Sequence, residues 1–138
     1  MSVYTKPLPQ ITPEMRPFWE AARLHQLVVQ RCRSCRAPRF PARDICSRCL
    51  SREAEWAPVA GRGAVFSWAT MHQVYHPGFA GEVPYAVVVV ALEEGVRLVS
   101  NLVDSPVPDI RAGMPVEVVF DDVTPEVTLP KFRPRSAG

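Results

Sequence analysis

All four cysteines of this 138-residue chain lie in two C-x-x-C pairs, at positions 32–35 and 46–49. Two such pairs, ten residues apart, can place four thiolates around one metal ion, with backbone N–H groups turned toward the sulfurs. Zinc(II) binds four thiolates tetrahedrally and then has no open position for water. The spacing therefore predicts one structural zinc ion, which stabilises the fold and activates no nucleophile, bound by Cys32, Cys35, Cys46 and Cys49.

Other uses of these cysteines fit the sequence less well. Two disulfides would suit a small secreted domain, but the residues after Met1 offer no apolar stretch for a signal peptide. We therefore expect a reducing, cytoplasmic compartment. A thioredoxin-like redox site needs a single C-x-x-C at the start of a helix, whereas here two pairs share an arginine-rich, loop-like segment. Iron bound as in rubredoxin is the remaining alternative to zinc.

Charge is distributed unevenly around the cysteines. The chain has a net charge of +2, but residues 31–52 hold seven arginines and one aspartate, a local balance of +6. From residue 53 to the end, eleven carboxylates oppose six basic side chains, which gives −5. The cysteine segment is thus a local cation, either simply solvated or facing a phosphate-bearing partner, with Arg36 and Arg39 as candidate ligand-binding residues.

The elements around the cysteines suggest a mainly β chain with a short N-terminal helix. We expect an arm and helix over residues 1–26 and a zinc ribbon over 27–60. A barrel domain with a basic, mobile C-terminal tail is expected over 61–138. Fifteen prolines argue against a helical bundle, and no apolar run approaches the roughly 20 residues of a membrane span.

The predicted helix runs from Pro17 to about His25. Its apolar face carries Phe18, Trp19 and Ala22, which fall at positions i, i+1 and i+4 on one side of a helix. This face either packs on the protein's own ribbon or forms a partner interface.

Beyond Gly61 the sequence favours strands. Five are expected, and the longer connection between the third and fourth is typical of a five-stranded OB-fold barrel, with an SH3-like barrel as the alternative. The second strand is apolar on both faces, so we expect it to be central. Pro130 predicts that the last strand is an edge. The five predicted strands cover residues 64–74, 85–92, 96–103, 116–120 and 127–132.

A loop at the expected barrel mouth gathers further candidate ligand-binding residues: His72, Tyr75, His76 and Phe79. A histidine pair could move protons, but no serine or cysteine nucleophile lies near it in the sequence. The adjacent acidic pairs Glu93-Glu94 and Asp121-Asp122 are interpreted as solvated. The chain contains no nucleotide-cofactor motif.

Several short motifs follow one another along the chain: Pro17-Phe18-Trp19-Glu20, Gln30-Arg31-Cys32, Gly61-Arg62-Gly63, Pro84-Tyr85, Arg97-Leu98-Val99-Ser100-Asn101-Leu102-Val103, Gly113-Met114-Pro115-Val116-Glu117-Val118 and Leu129-Pro130-Lys131-Phe132-Arg133-Pro134. Together with the cysteine pairs, they resemble a known family, the acyl-CoA-associated OB-fold proteins with an N-terminal rubredoxin-like zinc ribbon. The cysteine spacing is the specific signal, and the ordered series of the others adds to it. Ala37 and Arg48 depart from the family pattern, which favours glycine and proline there, but neither touches a sulfur.

The resemblance implies a non-catalytic accessory subunit. Members of this family pair with thiolase-superfamily enzymes (thiolases, aldolases or acyltransferases of lipid, steroid or aromatic degradation) or are fused to hydratase-like domains. It also implies that the helix and ribbon dock on the enzyme, with the barrel beside the active-site entrance. The cysteines would be metal ligands, and a CoA thioester a ligand shared with the partner.

Two other function classes remain open. Zinc ribbons and OB folds both bind nucleic acids, but an OB groove that follows a strand is usually basic, whereas this barrel carries a negative balance. A free-standing enzyme would have to use His72 or His76 without an evident nucleophile.

Overall fold

A computed structural model describes residues 4–136. It begins with an arm that has no regular secondary structure, followed by helix α1 (Arg16–Arg23). A three-stranded antiparallel sheet comes next, in the order β2-β1-β3, with β1 (Val28–Cys32), β2 (Pro38–Arg39) and β3 (Ala54–Pro58). The helix is shorter than predicted because His25 adopts a left-handed φ of 58°, which a helix does not continue through. Strand β3 has no counterpart in the sequence prediction.

Five further strands form a closed barrel, which confirms the predicted OB-fold architecture. They are β4 (Arg62–Met71), β5 (Tyr85–Leu92), β6 (Arg97–Leu102), β7 (Pro115–Asp122) and β8 (Thr128–Pro134). Their order around the barrel is β4-β5-β6-β8-β7, and β7 pairs with β4 to complete the ring. The bounds of β5 are those predicted from its apolar run. A single 3₁₀ turn, Val107–Asp109, lies in the connection between β6 and β7.

One apolar core joins the helix and the first sheet to the barrel. Phe18, Leu27 and Val29 belong to the same buried cluster as the barrel residues Val88 and Phe132. Helix α1 therefore packs against the barrel as well as against its own sheet. Phe18 is only 4% exposed, so the predicted partner interface cannot include its ring, which is already covered within this chain.

The barrel closes where an edge strand was predicted. Strand β8 pairs with β7 along its length and meets β6 in parallel at Leu102 and Phe132. Pro130 is accommodated because the β6–β8 seam is bridged there by a side chain: the Ser100 hydroxyl donates to the Pro130 carbonyl at 2.7 Å. The prediction of an edge strand was therefore wrong, because β8 lies between β6 and β7 in the closed barrel. Proline is tolerated there because a side chain, and not a backbone N–H, bridges the two strands at that position.

The basic C-terminal segment is more ordered than expected. Lys131 and Arg133 lie in β8 and form ion pairs with Asp121 (2.7 Å) and Glu117 (2.8 Å) of β7. The predicted mobile tail is thus wrong for residues 131–134, while positions 137 and 138 lie outside the described residues. Among residues 4–136, no helix is long and apolar enough to cross a membrane.

Candidate metal centre and its surroundings

The four cysteine sulfurs converge at the tip of the ribbon. All lie within 4.8 Å of one another, and the Sγ atoms of two cross-pairs, Cys32 with Cys49 and Cys35 with Cys46, are each 3.6 Å apart. A tetrahedral zinc ion with bonds of about 2.3 Å requires sulfurs about 3.8 Å apart. The donor set and its dimensions therefore fit one zinc ion, and they supply four ligands with no position left for water.

Both C-x-x-C turns direct backbone N–H groups at their first sulfur. The Cys35 N–H donates to Cys32 Sγ at 3.5 Å, and the Arg48 N–H donates to Cys46 Sγ at 3.4 Å. These hydrogen bonds stabilise the thiolate form, which is the form that binds a metal. The turn prediction from the spacing is confirmed in both halves of the site.

Each turn closes with a left-handed residue directly after its second cysteine. Arg36 (φ 68°) and Leu50 (φ 65°) occupy these positions. Their N–H groups donate to the carbonyls of Cys32 (3.0 Å) and Cys46 (2.9 Å). The two turns thus have the same backbone geometry although their sequences differ. The sequence reasoning placed the expected glycine at Ala37 and missed that the strained positions are Arg36 and Leu50.

The thiols influence one another strongly. Hydrogen bonds from the Cys35 and Ser34 backbone lower the pKa of Cys32 to about 6, against an opposing effect of burial. The pKa of Cys46 is lowered by the backbone N–H groups of Cys49 and Arg48. The Ser51 N–H lowers the pKa of Cys49, but the neighbouring sulfurs and burial outweigh it and raise that pKa to about 11. Four crowded sulfurs resist full ionisation unless a cation neutralises them.

The two arginines predicted to bind a ligand have partners within the ribbon. The Arg36 guanidinium pairs with Glu55 at 2.8 Å. Arg39 donates to the Gln30 side chain at 2.5 Å and to the Arg43 carbonyl at 3.0 Å. Arg39 therefore braces the ribbon, and its role in ligand binding stays a prediction. Among residues 4–136, five other arginine side chains of the ribbon make no hydrogen bond or ion pair: Arg31, Arg33, Arg43, Arg48 and Arg52.

The loop predicted to bind a ligand divides into a structural and an exposed part. His76 Nδ1 accepts a hydrogen bond from the Gly78 N–H at 3.0 Å and so caps a 3₁₀ turn. Phe79 stacks on Tyr85 with ring centroids 5.0 Å apart. These contacts fix the loop. The remaining candidates, His72 and Tyr75, are exposed, and their role in ligand binding stays a prediction.

The N-terminal arm reinforces that loop. Lys6 pairs with Glu82 at 2.8 Å, and its ammonium lies 5.3 Å from the Phe79 ring centroid. A Cβ atom added at Gly78 would lie 2.5 Å from the carbonyl oxygen of Thr5, so only glycine lets the arm pass this closely. The extended arm predicted from the sequence is therefore held against the barrel.

We expected the two acidic pairs to be solvated, but members of both pairs make specific contacts. Glu94 accepts from the Ala60 N–H at 3.0 Å and so fastens the β5–β6 hairpin to the link between ribbon and barrel. Asp122 accepts from the Thr128 hydroxyl at 2.6 Å and lies 3.0 Å from His25 Nε2. The contacts of Glu94 with Ala60 and of Asp122 with His25 join residues 34 and 97 positions apart, so sequence neighbours alone could not reveal them.

A pocket of about 260 Å³ lies between α1 and the β6–β8 seam. Its lining is mainly apolar and includes Trp19, Phe40, Val99 and Leu129. The sequence analysis missed it, because it depends on the N-terminal helix meeting two strands that are more than 70 residues away in the chain.

Two models of known protein families match this chain. The profile described as "ChsH2, rubredoxin-like zinc ribbon domain" matches residues 19–55, and "ChsH2, C-terminal OB-fold domain" matches residues 56–121. The chain belongs to the ChsH2 (DUF35) family. The resemblance stated from the motifs is thereby confirmed, as are the zinc-ribbon and OB-fold assignments.

Relatives extend the match over almost the whole chain. A solved structure described as "Ltp2-ChsH2(DUF35) aldolase" is 41% identical, with a TM-score of 0.84, and covers 92% of this chain and 98% of that one. The "DUF35 domain-containing scaffold protein" of Methanocaldococcus jannaschii is 36% identical over 68% of this chain and 67% of its own length. The "probable enoyl-CoA hydratase alpha subunit" of Thermomonospora curvata is 41% identical over 94% of this chain, which spans only 40% of that protein.

Proposed function

We propose that this protein is a non-catalytic, zinc-binding accessory subunit of a thiolase-fold enzyme that acts on acyl-CoA thioesters. The observation that carries the proposal is its likeness, at 41% identity and over nearly all of both chains, to the ChsH2(DUF35) chain of an Ltp2 aldolase. The scaffold role in the name of the M. jannaschii relative points the same way. The expected compartment is the cytoplasm, where thiolates stay reduced.

The metal centre has a structural part in this proposal. Cys32, Cys35, Cys46 and Cys49 would hold the zinc ion, whose four bonds to sulfur fix the ribbon in place. The chain's own residues prepare the site, because both turns already direct N–H groups at the sulfurs. Four protein ligands leave no coordination position for a substrate, so the carbon–carbon chemistry falls to the partner.

The ribbon's unpaired arginines suit the phosphate end of coenzyme A. Guanidinium groups bind phosphate oxygens through paired, charge-assisted hydrogen bonds. Arg33 and Arg48 lie in the loops of the two cysteine turns and are exposed, without a carboxylate partner among the described residues. In the assembled enzyme we expect them to hold or steer the CoA phosphates, ahead of Arg36 and Arg39, which are engaged within the ribbon.

Charge reversal in the ribbon tests the CoA contact. The double substitution Arg33→Glu and Arg48→Glu should raise the KM of the complex for its CoA thioester, more at low than at high salt, because salt screens exposed charges. Arg111→Glu, an exposed arginine of the barrel, is the control. An unchanged KM at both salt concentrations would remove CoA from the ribbon and leave the partner role standing.

Co-purification tests the partner role itself. The tagged full-length chain, expressed in its native host, should recover one thiolase-fold enzyme in a fixed ratio that survives gel filtration. Recovery of no such enzyme, together with undiminished thiolase-family activity in a deletion strain, would refute the proposal.

A further inference from the structure

Strand β5 is apolar on both faces, yet this chain covers only one of them. Ala86, Val88, Val90 and Leu92 point into the barrel and are buried. The alternate residues, Val87 and Val89 among them, lie on the outside and remain partly exposed. A strand that is apolar on both sides is typical of a sheet covered on both sides. Among the described residues, nothing provides the second cover.

The neighbouring strands extend this outer apolar surface. Ser67 of β4, Val89 of β5 and Val99 of β6 are paired side by side across the sheet. Val99 is 69% exposed, and Phe66, the extra residue at a bulge in β4, is 51% exposed. We call this surface, formed by the outward residues of β4 from its bulge onward and of β5 and β6, the apolar face.

One positive charge lies on the apolar face. The Arg97 guanidinium is 3.8 Å from the centroid of the Phe66 ring, and it makes no ion pair within residues 4–136. The other outward residues of these strands from the bulge onward are uncharged: Ser67, Ala69, Met71, Tyr85, Val87, Val89, Ala91, Val99 and Asn101.

The opposite side of the same barrel shows what a solvent-facing surface looks like in this protein. The outward residues of β7 and β8 include two cross-strand ion pairs, Glu117 with Arg133 and Asp121 with Lys131. The outward residues of β7 and β8 thus combine four paired charges with only two large apolar side chains, Val119 and Leu129, as expected where a sheet faces water on one side. The apolar face departs from that pattern, so its composition is a feature of one side and not of the fold.

We propose that the apolar face is the surface on which the enzyme subunit docks, through an apolar patch that carries a carboxylate opposite Arg97. This inference rests on the proposed function for the identity of the partner. The single positive charge of the face favours an enzyme subunit over a second copy of this chain or a nucleic acid. A second copy packed face to face would bring two Arg97 side chains together without a carboxylate, and a nucleic acid strand would need more than one cation.

The pocket beside Val99 gives the interface an anchoring point. Val99 lines both the apolar face and the pocket between α1 and the β6–β8 seam, whose rim also includes Trp19. Interfaces concentrate their binding energy where a large side chain fills a desolvated pocket. An apolar side chain of the enzyme would enter this pocket, which joins the helix and the barrel into one docking surface.

A pair of matched substitutions tests the surface. Val99→Glu places a charge on the apolar face beside the pocket, while Val119→Glu places the same charge on the outer face of β7, opposite Lys131. Binding of the purified enzyme subunit recovered by co-purification would be measured by surface plasmon resonance. Circular dichroism melting and zinc content would verify that both variants fold. We expect Val99→Glu to raise the Kd at least about tenfold and Val119→Glu to change it less than about twofold.

Four other outcomes would each contradict the proposal, and each would point to a different explanation. Equal Kd values for Val99→Glu and wild type would overturn the docking face and leave the accessory role intact. If the wild-type chain binds no enzyme, the function and the face fall together. A wild-type dimer that Val99→Glu converts to a monomer would assign the face to a second copy. Tight binding of single-stranded DNA that Val99→Glu abolishes would assign it to nucleic acid.

Discussion

The cysteine segment of the ribbon and the barrel are each stabilised by a different kind of interaction. Between residues 32 and 53, only Cys32 and Cys46 are buried, so this segment has almost no apolar core of its own. The barrel instead buries whole rows of side chains, with Val88, Val90 and Phe132 fully enclosed. A segment without a core needs coordination bonds, whereas a barrel is stabilised by apolar burial.

This difference also separates what the two regions can offer a partner. Metal binding would stabilise the ribbon without a large apolar core, so its surface can carry exposed arginines such as Arg33 and Arg48. The barrel has more apolar residues than its interior buries, and the remaining ones lie on the outside of β4, β5 and β6. The ribbon is suited to anions and the barrel to a protein surface.

The largest expected effect comes from removing a metal ligand. Cys46→Ser should abolish zinc binding and unfold residues 32–53 while the barrel stays folded, because the free energy of metal binding is the folding free energy of such a segment. Hydrogen exchange resolved by residue, with zinc measured by elemental analysis, would show this. Ser47→Ala in the same turn is the control. Wild-type protein containing no metal, or two disulfides found by mass spectrometry, would contradict the zinc assignment.

The converse substitution should destabilise the apolar core and leave the metal site intact. Phe132 is fully buried where β8 closes on β6, so Phe132→Ala should lower the free energy of unfolding by about 3–5 kcal/mol. Phe66→Ala, at a half-exposed ring, should cost far less. Urea denaturation gives both values, and the zinc content should remain at one ion per chain. Loss of zinc in Phe132→Ala would show that the cysteine segment holds its metal only when the shared apolar core is intact.

A third substitution addresses the helix that joins the two regions. Trp19 is partly exposed beside the pocket, so Trp19→Ala should weaken binding to the enzyme subunit by about 2 kcal/mol. Glu20→Ala, at an exposed position one residue along the helix, is the control. Calorimetric titration with the enzyme measures both. Equal affinities for the two variants would restrict the interface to the barrel.

A smaller effect should appear as a dependence of stability on pH. The Thr128 hydroxyl and then His25 lower the pKa of Asp122. A lowered pKa in the folded state means that the carboxylate stabilises the protein above its unfolded pKa of about 4 and loses this contribution as the pH falls through the folded value. Asp122→Asn should therefore lose less stability than wild type between about pH 5 and pH 3, as measured by urea denaturation at both pH values. An equal loss in the two proteins would contradict a stabilising role for this carboxylate.

The smallest effect concerns backbone strain in the ribbon. Leu50 holds a left-handed φ of 65° and is largely exposed, so Leu50→Gly should relieve strain while adding backbone entropy to the unfolded chain. The net result is a gain of about 0.5 kcal/mol. Slower hydrogen exchange at the Cys46 and Cys49 amides would reveal it. Faster exchange would mean that the leucine side chain contributes more than its conformation costs.

Local patterns predicted the parts of the molecule that local chemistry determines. The cysteine spacing alone indicated the metal ligands, and the apolar run from Tyr85 to Leu92 gave the bounds of β5. Contacts between distant segments could not be inferred in this way. Pro130 was assigned to an edge because nothing near it in the sequence shows that Ser100 reaches its carbonyl. Strand β3 was missed because its alternation is weak and it forms only by pairing with β1.

The roles of the candidate site residues likewise depend on contacts that are not visible in the local sequence. That Arg39 braces the ribbon depends on Gln30, nine residues away, and that Phe18 is buried depends on a barrel strand more than 100 residues later. The sequence could indicate which residues were suited to binding. Only the packing shows which of them are already engaged.

Reconstituted turnover tests the central claim most directly. The purified chain, the enzyme subunit that co-purifies with it, and a mixture of the two would each be assayed with an acyl-CoA thioester. We expect no turnover by this chain alone, and low or unstable activity of the enzyme that rises to a plateau as the chain is added to a fixed ratio. Turnover by this chain alone that His76→Ala abolishes, or an enzyme whose activity is unchanged by the addition, would contradict an accessory role.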